Sequence, residues 1–172
     1  MTAPYSTISQ LAMDSLMHYA SRSPAGAMVE IGVYRGGSAY QLAKLGRPLY
    51  LYDTFEGIPF QGEMDTGNPV GKFADTSAEA VQALIPSATV VKGLFPQSLV
   101  YMPPVGFVHA DADQYDSTKA ILAVMPPLMV RGGFILLDDF GVDDCQGCTQ
   151  AVYESPYRVL VIAETGKALI IV

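Results

Sequence analysis

Short apolar runs alternate with segments of helical periodicity along this 172-residue chain. Runs of four to eight apolar residues between turn residues are typical of buried strands, whereas apolar side chains at every third or fourth position indicate helices. This pattern predicts strands over residues 27–33, 48–53, 89–94, 105–110, 133–137, 158–163 and 168–172. It predicts helices over residues 7–19, 38–44, 76–85, 116–125 and 148–154. Such an alternation favours a mostly parallel sheet with helices on both faces.

The last two predicted strands are separated by Thr165 and Gly166, which is typical of a hairpin. One strand at or near the edge of the sheet should therefore run antiparallel. The length fits one domain over residues 1–172 with a sizeable core. We predict an α/β domain with a mostly parallel seven-stranded sheet and a closing antiparallel hairpin. The glycine- and proline-containing stretch 56–75 is too long for a plain connection and is typical of a lid or binding loop.

Carboxylates follow two of the predicted buried strands at the point where each strand ends. Asp111 and Asp113 follow one apolar run, and Asp138 and Asp139 follow another. An uncompensated buried charge costs on the order of several kcal/mol, so these carboxylates need a positive partner. A hard divalent cation would supply one, because Mg²⁺ and Ca²⁺ take oxygen ligands. Ligands of open α/β sheets bind at the carboxyl ends of strands, although polar residues also reach water there.

The first predicted strand leads into a glycine-rich turn, Glu30-Ile31-Gly32-Val33-Tyr34-Arg35-Gly36-Gly37-Ser38. No Gly-Lys-Ser/Thr ends the turn, which argues against a phosphate loop, and the GxGxxG spacing of dinucleotide-binding folds is absent. Glu30, inside the strand, should pair with a cation or an N–H group such as a ligand ammonium. Asp53, at the end of the second strand, could accept hydrogen bonds from both hydroxyls of a ribose. Together these groups describe S-adenosylmethionine better than NAD.

Six segments together resemble the macrocin O-methyltransferase family. They are residues 30–38, 51–57, 73–77, 92–96, 109–118 and 132–140, and Gly147 and Cys148 fit the late helix of that family. The resemblance covers roughly residues 29–154. It implies a Rossmann-like class I methyltransferase that uses S-adenosylmethionine and Mg²⁺ to methylate the hydroxyl group of a sugar or other small molecule.

The resemblance also implies roles for individual residues. Asp111, Asp138 and Asp139 would be the metal ligands, and Asp113 and Asp111 the catalytic residues, with Asp113 as the general base. The expected cofactor contacts are Glu30, Gly32, Tyr34, Gly36, Ser38, Asp53, Thr54, Phe55, Gly93, Phe95 and Asp111. The three aromatic residues of this set could stack on adenine or only pack in the core.

Other polar residues near these motifs have simpler explanations. His109 alternates with Asp111, and we expect it to be packed and hydrogen-bonded, facing away from the site. Asp116 is expected to be the N-cap of the helix that follows it. Cys145 and Cys148 could form a redox pair or half of a zinc site, but the pattern favours two reduced cysteines at a helix start.

Composition limits the partners. A formal net charge of −7 argues against nucleic acid and anionic membranes as main partners. No apolar run approaches the ~20 residues of a membrane span, and the N-terminus does not resemble a signal peptide. We therefore expect a cytoplasmic enzyme with a small-molecule acceptor, and possibly a homo-oligomer built through the apolar last strand. The chain is short for the family, so a non-catalytic S-adenosylmethionine- or nucleotide-binding module is the alternative. A dinucleotide-dependent oxidoreductase is a weaker one.

Overall fold

Within residues 5–172, which the computed structural model describes, the chain forms five α-helices and one seven-stranded sheet. The strands are β1 (Ala27–Ile31), β2 (Leu49–Asp53), β3 (Thr89–Lys92), β4 (Val105–Ala110), β5 (Met129–Leu137), β6 (Val159–Ile162) and β7 (Lys167–Ile171). The helices are α1 (Gln10–Arg22), α2 (Gly37–Ala43), α3 (Ala78–Leu84), α4 (Tyr115–Val124) and α5 (Gln146–Tyr153). No helix in this part of the chain is long and apolar enough to cross a membrane.

The strands lie in the order β3-β2-β1-β4-β5-β7-β6. Strands β1 to β5 are parallel to one another, and β7 pairs antiparallel with both β5 and β6. The predicted mostly parallel seven-stranded sheet with a closing antiparallel hairpin is therefore confirmed. The strand order reverses between β1 and β4, and open α/β sheets bind ligands at this kind of switch point.

Both faces of the central strands are buried, as predicted. In β1, Met28 packs in the same core layer as Leu16 of α1, whereas Val29 packs in the opposite layer with Ile121 of α4. Strands covered on both faces are normally apolar throughout. Glu30, in the middle of β1, is the exception and is 0% exposed. Its carboxyl group must therefore find its partners inside the protein.

Two helices begin later than the predicted ranges 7–19 and 76–85, in which Thr7 with Gln10 and Thr76 with Glu79 have the spacing of a capping box. Ser9 rather than Thr7 is the N-cap of α1, and Ser77 rather than Thr76 is the N-cap of α3. Each serine hydroxyl accepts a hydrogen bond from the backbone N–H three residues further on. Serine and threonine are both favoured N-cap residues, so the sequence alone does not decide between nearby hydroxyl-bearing positions.

The prediction that Asp116 caps α4 is wrong. Gln114 is the N-cap, and Asp116 lies in the first turn, where its charge favours the positive end of the helix. Asp65, from the long loop between β2 and α3, accepts a hydrogen bond of 2.9 Å from the backbone N–H of Tyr115. A side chain distant in sequence therefore satisfies one of the N–H groups in the first turn that have no partner within the helix.

The long loop, residues 54–77, contains no helix or strand. It is nevertheless anchored, because the polar side chains of Asp65 and Asn68 are both buried. Ile58, Pro59 and Phe73 of the same loop line the cavity described below. The loop therefore lines a cavity, and its role as a lid or binding loop stays a prediction.

Candidate active site

A cavity of about 370 Å³ opens at the carboxyl ends of the parallel strands, next to the switch point. This volume lies within the range of about 300–1,000 Å³ typical of small-molecule and cofactor sites. Residues that follow five strands contribute to its wall: Gly32, Asp53, Thr54, Gly93, Leu94, Phe95, Asp111, Ala112, Asp113, Asp138 and Asp139. Residues just before α1 and in the long loop complete the wall: Thr7, Ile8, Ser9, Gly57, Ile58, Pro59 and Phe73.

Gly32 brings the first turn against the end of β4. Its φ is +89°, a value that residues with side chains rarely adopt. A Cβ at this position would overlap with the backbone oxygen of Asp111. The Gly32 N–H donates to the Tyr52 carbonyl of β2 at 2.9 Å. The turn is therefore as tight as predicted, and it lies directly beside the first aspartate of the acidic motif.

Asp53 ties the end of β2 to the glycine turn. Its Oδ2 accepts hydrogen bonds from the backbone N–H groups of Val33 and Tyr34, at 2.7 and 2.8 Å. Its Oδ1 accepts one from the N–H of Phe55 at 2.7 Å. A carboxylate has about four lone-pair sites, so a ribose diol would have to share this carboxylate with the turn. The ribose contact stays a prediction. In the structure, Asp53 also stabilises the glycine turn by accepting hydrogen bonds from its backbone N–H groups.

The structure brings together seven of the expected cofactor contacts, and four lie elsewhere. Glu30 and Ser38 are buried in contact with each other, Gly36 faces Val81 of α3, and Phe55 is packed in the core. These four do not line the cavity, because each side chain, or the Cα of Gly36, points into the layer between the sheet and the helices. The residues that do line it are Gly32, Tyr34, Asp53, Thr54, Gly93, Phe95 and Asp111.

The two cavity-lining aromatic rings have different neighbours. Phe95 packs edge-on against Tyr52, with ring centroids 5.5 Å apart. The Tyr34 hydroxyl donates to Asp75 at 2.7 Å, at the end of the long loop. Both rings are held by protein contacts and still border the cavity, so either could face a nucleoside base.

Three buried side chains, Glu30, His109 and Lys167, form a chain of contacts with the partly buried Asp138, and we call these four residues the paired cluster. Glu30 and His109 are neighbours in the register of β1 and β4, and Glu30 Oε1 lies 2.8 Å from His109 Nδ1. His109 Nε2 lies 3.3 Å from Asp138 Oδ1, and Lys167 at the start of β7 forms an ion pair with the same oxygen. Burial lowers the pKa of Lys167 to about 8.

The paired cluster changes two expectations. Glu30 Oε1 contacts His109 and accepts a hydrogen bond of 2.5 Å from the hydroxyl of Ser38, so this oxygen has partners within the protein, whereas the buried Oε2 has none among the described residues. His109 is packed and hydrogen-bonded as expected, but it does not face away from the site. It links the middle of β1 to Asp138, which is a predicted metal ligand.

Three further carboxylates, Asp111, Asp113 and Asp139, border the cavity and are called the open cluster. Burial raises the pKa of Asp111 to about 7, and the nearby Asp113 contributes to the increase. Burial and repulsion from Asp113 and Asp111 hold the pKa of Asp139 well above its usual value. Burial also raises the pKa of Asp113. The protein therefore concentrates more negative charge here than its own groups compensate.

The oxygen donors fit a hard divalent cation, which would favour the ionised carboxylates and reverse these pKa shifts. The predicted ligands divide between two groups whose candidate atoms lie within 4.8 Å of one another. Asp111 and Asp138 lie with His109, and Asp139 lies with Asp113 and Cys145. Asp138 Oδ1 already contacts His109 and a lysine, which leaves Oδ2 as the oxygen it could offer.

Asp113 lies in a strained turn that two other segments hold in place. Its φ is +57°, and its backbone N–H donates to Asp139 Oδ2 at 3.0 Å. Asn68 of the long loop donates from Nδ2 to Asp113 Oδ1 at 3.0 Å, and Lys72 donates to Asn68 Oδ1 at 2.5 Å. Sequence reasoning missed Asn68 and Lys72, although it had marked their loop as a binding segment.

Lys167 was also missed. A lysine that begins an otherwise apolar strand was the available signal, because a charge there needs a partner. The two cysteines, by contrast, are free and buried at the start of α5, as predicted. Cys145 Sγ lies 3.7 Å from Asp113 Oδ1, and Cys148 Sγ lies 4.0 Å from Asp139 Oδ2. The thiols therefore pack against the open cluster.

Comparisons with known proteins show the family to which the chain belongs. The model of the family described as macrocin-O-methyltransferase (TylF) matches residues 12–159. The 8-demethyl-8-(2,3-dimethoxy-alpha-L-rhamnosyl)-tetracenomycin-C 4'-O-methyltransferase of Streptomyces olivaceus is 29% identical over 145 residues, covering 70% of this chain and 55% of that protein. The demethyldecarbamoylnovobiocin O-methyltransferase of Streptomyces niveus is 26% identical over 152 residues, covering 75% of this chain and 57% of that protein.

The chain spans a little more than half the length of these two relatives. Among solved structures, the calicheamicin methyltransferase CalS11 has a TM-score of 0.74 to this chain at 20% sequence identity, covering 94% of this chain and 77% of that one. The two share the class I methyltransferase fold. The family match includes the glycine turn, the long loop and both acidic motifs. The chain therefore belongs to the macrocin O-methyltransferase (TylF) family.

Proposed function

We propose that this chain transfers a methyl group from S-adenosylmethionine to a hydroxyl group of a small molecule, with a sugar hydroxyl as the first candidate. One observation carries the proposal: the glycine turn and Asp53, where the cofactor is expected, share a single cavity with the candidate base Asp113. Family membership supports it. Both curated relatives are named O-methyltransferases, and one name specifies a rhamnosyl-bearing tetracenomycin.

The cofactor would contact the cavity wall at the ends of β1, β2 and β3. Gly32 lies in the cavity wall where the first turn packs against the backbone of Asp111, and Asp53 offers acceptor oxygens to a ribose. Apolar contacts are available from Phe95 and Leu94. These contacts suit an adenosine with a charged side chain, and Asp111 at the end of β4 suits its positive end.

The proposed reaction is a direct displacement. The acceptor oxygen forms a bond to the methyl carbon while the bond from that carbon to sulfur breaks, which leaves S-adenosylhomocysteine. The proton of the acceptor hydroxyl passes to Asp113, a step that contributes roughly 10²–10⁴-fold in such reactions. Because the donor already has a good leaving group, the main task of the protein is to align oxygen, methyl and sulfur.

Asp111, Asp138 and Asp139 would hold Mg²⁺, and Asp138 would offer its Oδ2. When bound, such a cation polarises the acceptor hydroxyl and stabilises the developing alkoxide. The carboxylates themselves fix the position of the cation. The backbone N–H of Asp113 donates to Asp139, so the candidate base and a candidate metal ligand are held in one arrangement.

A second candidate is a module that binds S-adenosylmethionine without methyl transfer. It needs only the part of the cavity that Gly32 and Asp53 line, and the chain matches 55% and 57% of the two curated relatives. Parts of those proteins that this chain does not match could complete the acceptor pocket. This candidate predicts cofactor binding without turnover.

Calorimetry with S-adenosylhomocysteine, followed by transfer of labelled methyl from S-adenosylmethionine to a panel of rhamnosides, tests both candidates. Binding with transfer is the result expected of the proposed enzyme. Binding without transfer to any glycoside or phenol would favour the module, and no binding by folded protein would contradict both. The expected cytoplasmic location, the absence of a nucleic-acid or membrane partner and a homo-oligomer stay predictions.

A further inference from the structure

We propose that Asn68, oriented by Lys72, is a positioning residue that fixes the carboxylate of Asp113. This inference rests on the proposed function, because it assigns Asp113 the role of base. Asn68 lies 45 residues before Asp113 and belongs to none of the motifs from which the site was predicted.

The first observation is the contact itself. Asn68 is 3% exposed, and its Nδ2 donates to Asp113 Oδ1 at 3.0 Å. The Cys145 thiol points to the same oxygen at 3.7 Å. Within residues 5–172, Asp113 Oδ2 receives no hydrogen bond. One oxygen is therefore fixed by the protein, while the other remains available to take the proton of an acceptor hydroxyl.

The second observation is that the orientation of the amide is determined. Lys72 Nζ donates to Asn68 Oδ1 at 2.5 Å, and an ammonium can only donate. The amide oxygen must therefore face Lys72, and the NH₂ group must face Asp113. Because the carboxylate can only accept when ionised, the reverse orientation of the amide would lose both hydrogen bonds at once.

The third observation is that the loop is docked on the segment that bears the base. Asp65 accepts a hydrogen bond from the N–H of Tyr115, and Gln114 donates from its side chain to the carbonyl of Phe60. Gln114 and Tyr115 are the two residues that directly follow Asp113 in the sequence. The docked loop therefore places Asn68 against Asp113, whose own backbone has a positive φ.

Kinetics of the full chain test the positioning role. Asn68→Leu removes the donor at similar volume, and Asn68→Asp keeps the shape and the Lys72 contact but opposes one carboxylate with another. Misplacing a reacting group by about 1 Å can cost about 10²-fold, so we expect kcat to fall about 10- to 100-fold in both variants. The KM for S-adenosylmethionine and the affinity for S-adenosylhomocysteine should stay within about 2-fold, which a general loss of structure would not allow.

The matched control is Glu63→Gln, an exposed position in the same loop, which should keep wild-type kcat. A purely structural role predicts that the isosteric Asn68→Asp is milder than Asn68→Leu. The positioning role predicts that Asn68→Asp is at least as damaging. An unchanged kcat in Asn68→Leu, or full activity in Asn68→Asp, would overturn the inference.

A measurement that needs no acceptor separates this inference from the proposed function. In ¹⁵N-labelled protein, the side-chain amide resonance of Asn68 is identified by its loss in Asn68→Leu. We expect that resonance to shift in Asp113→Asn and to stay in place in Asp116→Asn. An amide resonance that does not respond to Asp113→Asn overturns the contact. A wild-type protein that shows the contact but transfers no methyl group overturns the proposed function instead.

Discussion

Two groups of carboxylates lie side by side at the carboxyl edge of the sheet, and they differ in what compensates them. In the paired cluster, Glu30 and Asp138 are in contact with His109 and Lys167. In the open cluster, Asp111 and its two neighbours border the cavity, and the pKa of each is raised by burial. Carboxylates therefore occupy two different electrostatic environments in the same part of the sheet.

The difference separates stability from function. A carboxylate compensated by protein groups stabilises the fold only while its partner is present, because loss of one partner leaves a buried charge. A carboxylate left without compensation destabilises the protein, and under the proposed function a bound cation would compensate it. Variants of Glu30, His109 and Lys167 should therefore change stability first, and variants in the open cluster should change activity first. Asp138 should affect both, because it is also a proposed metal ligand.

The largest expected effect is on catalysis by the open cluster. Asp113→Asn removes the candidate base at constant volume, and methyl transfer should fall by about 10²–10⁴-fold. Steady-state kcat with S-adenosylmethionine and a rhamnoside that the wild type methylates measures this fall. The affinity for S-adenosylhomocysteine should not change, because the cofactor contacts remain.

Asp116→Asn is the matched control for this variant. It makes the same chemical change three residues away, at an exposed position in the first turn of α4. Its kcat should equal that of the wild type. If Asp113→Asn and Asp116→Asn had equal kcat, Asp113 would not be the base. The functional difference between the two clusters would then no longer hold.

The next largest effect is on stability through the paired cluster. Lys167→Met leaves Asp138 with His109 alone, and breaking a buried ion pair costs about 3–5 kcal/mol of unfolding free energy. Urea denaturation measures the loss. The double variant Lys167→Met/Asp138→Asn should recover part of it, because no carboxylate is then left without its cation. Lys119→Met, which removes an exposed ion pair with Glu154, should change stability little.

These two clusters also show how far the sequence could predict the site. The apolar runs predicted the strands and their polar ends, so the aspartates were found. Lys167 was not, because the β5–β7 register decides its neighbour: Leu137 pairs with Ala168, which brings Asp138 to Lys167. The local sequence pattern predicts where the strands lie, but not the register in which β5 and β7 pair. Asn68 was missed for a related reason, since a loop without periodicity gives no indication of what it contacts.

The pH dependence of stability should come from the open cluster. Folding raises the pKa of Asp111 from 3.8 to about 7, so between those values the folded protein binds more protons than the unfolded chain. The free energy of unfolding should therefore fall as the pH rises, by at most about 1.4 kcal/mol per pH unit for one proton. Asp113 and Asp139 act in the same direction. Urea denaturation at about pH 5 and about pH 7 measures the slope.

Saturating Mg²⁺ should flatten this slope, because a bound cation stabilises the ionised carboxylates that destabilise the metal-free protein at high pH. The thermal shift caused by Mg²⁺ should accordingly be larger at about pH 7 than at about pH 5. An equal shift at both values would mean that the cation binds elsewhere, and the open cluster would lose its proposed ligand.

The smallest effect has the opposite sign to that of Lys167→Met. Asp139→Asn removes one of three mutually repelling buried carboxylates and keeps an oxygen that can accept the N–H of Asp113. Above neutral pH the metal-free variant should be more stable than the wild type by about 1 kcal/mol, as measured by urea denaturation. Its Mg²⁺-induced thermal shift should disappear, whereas the exposed variant Asp143→Asn should keep both wild-type values. A destabilised Asp139→Asn would show that the open cluster is compensated within the protein, and the two clusters would then be alike.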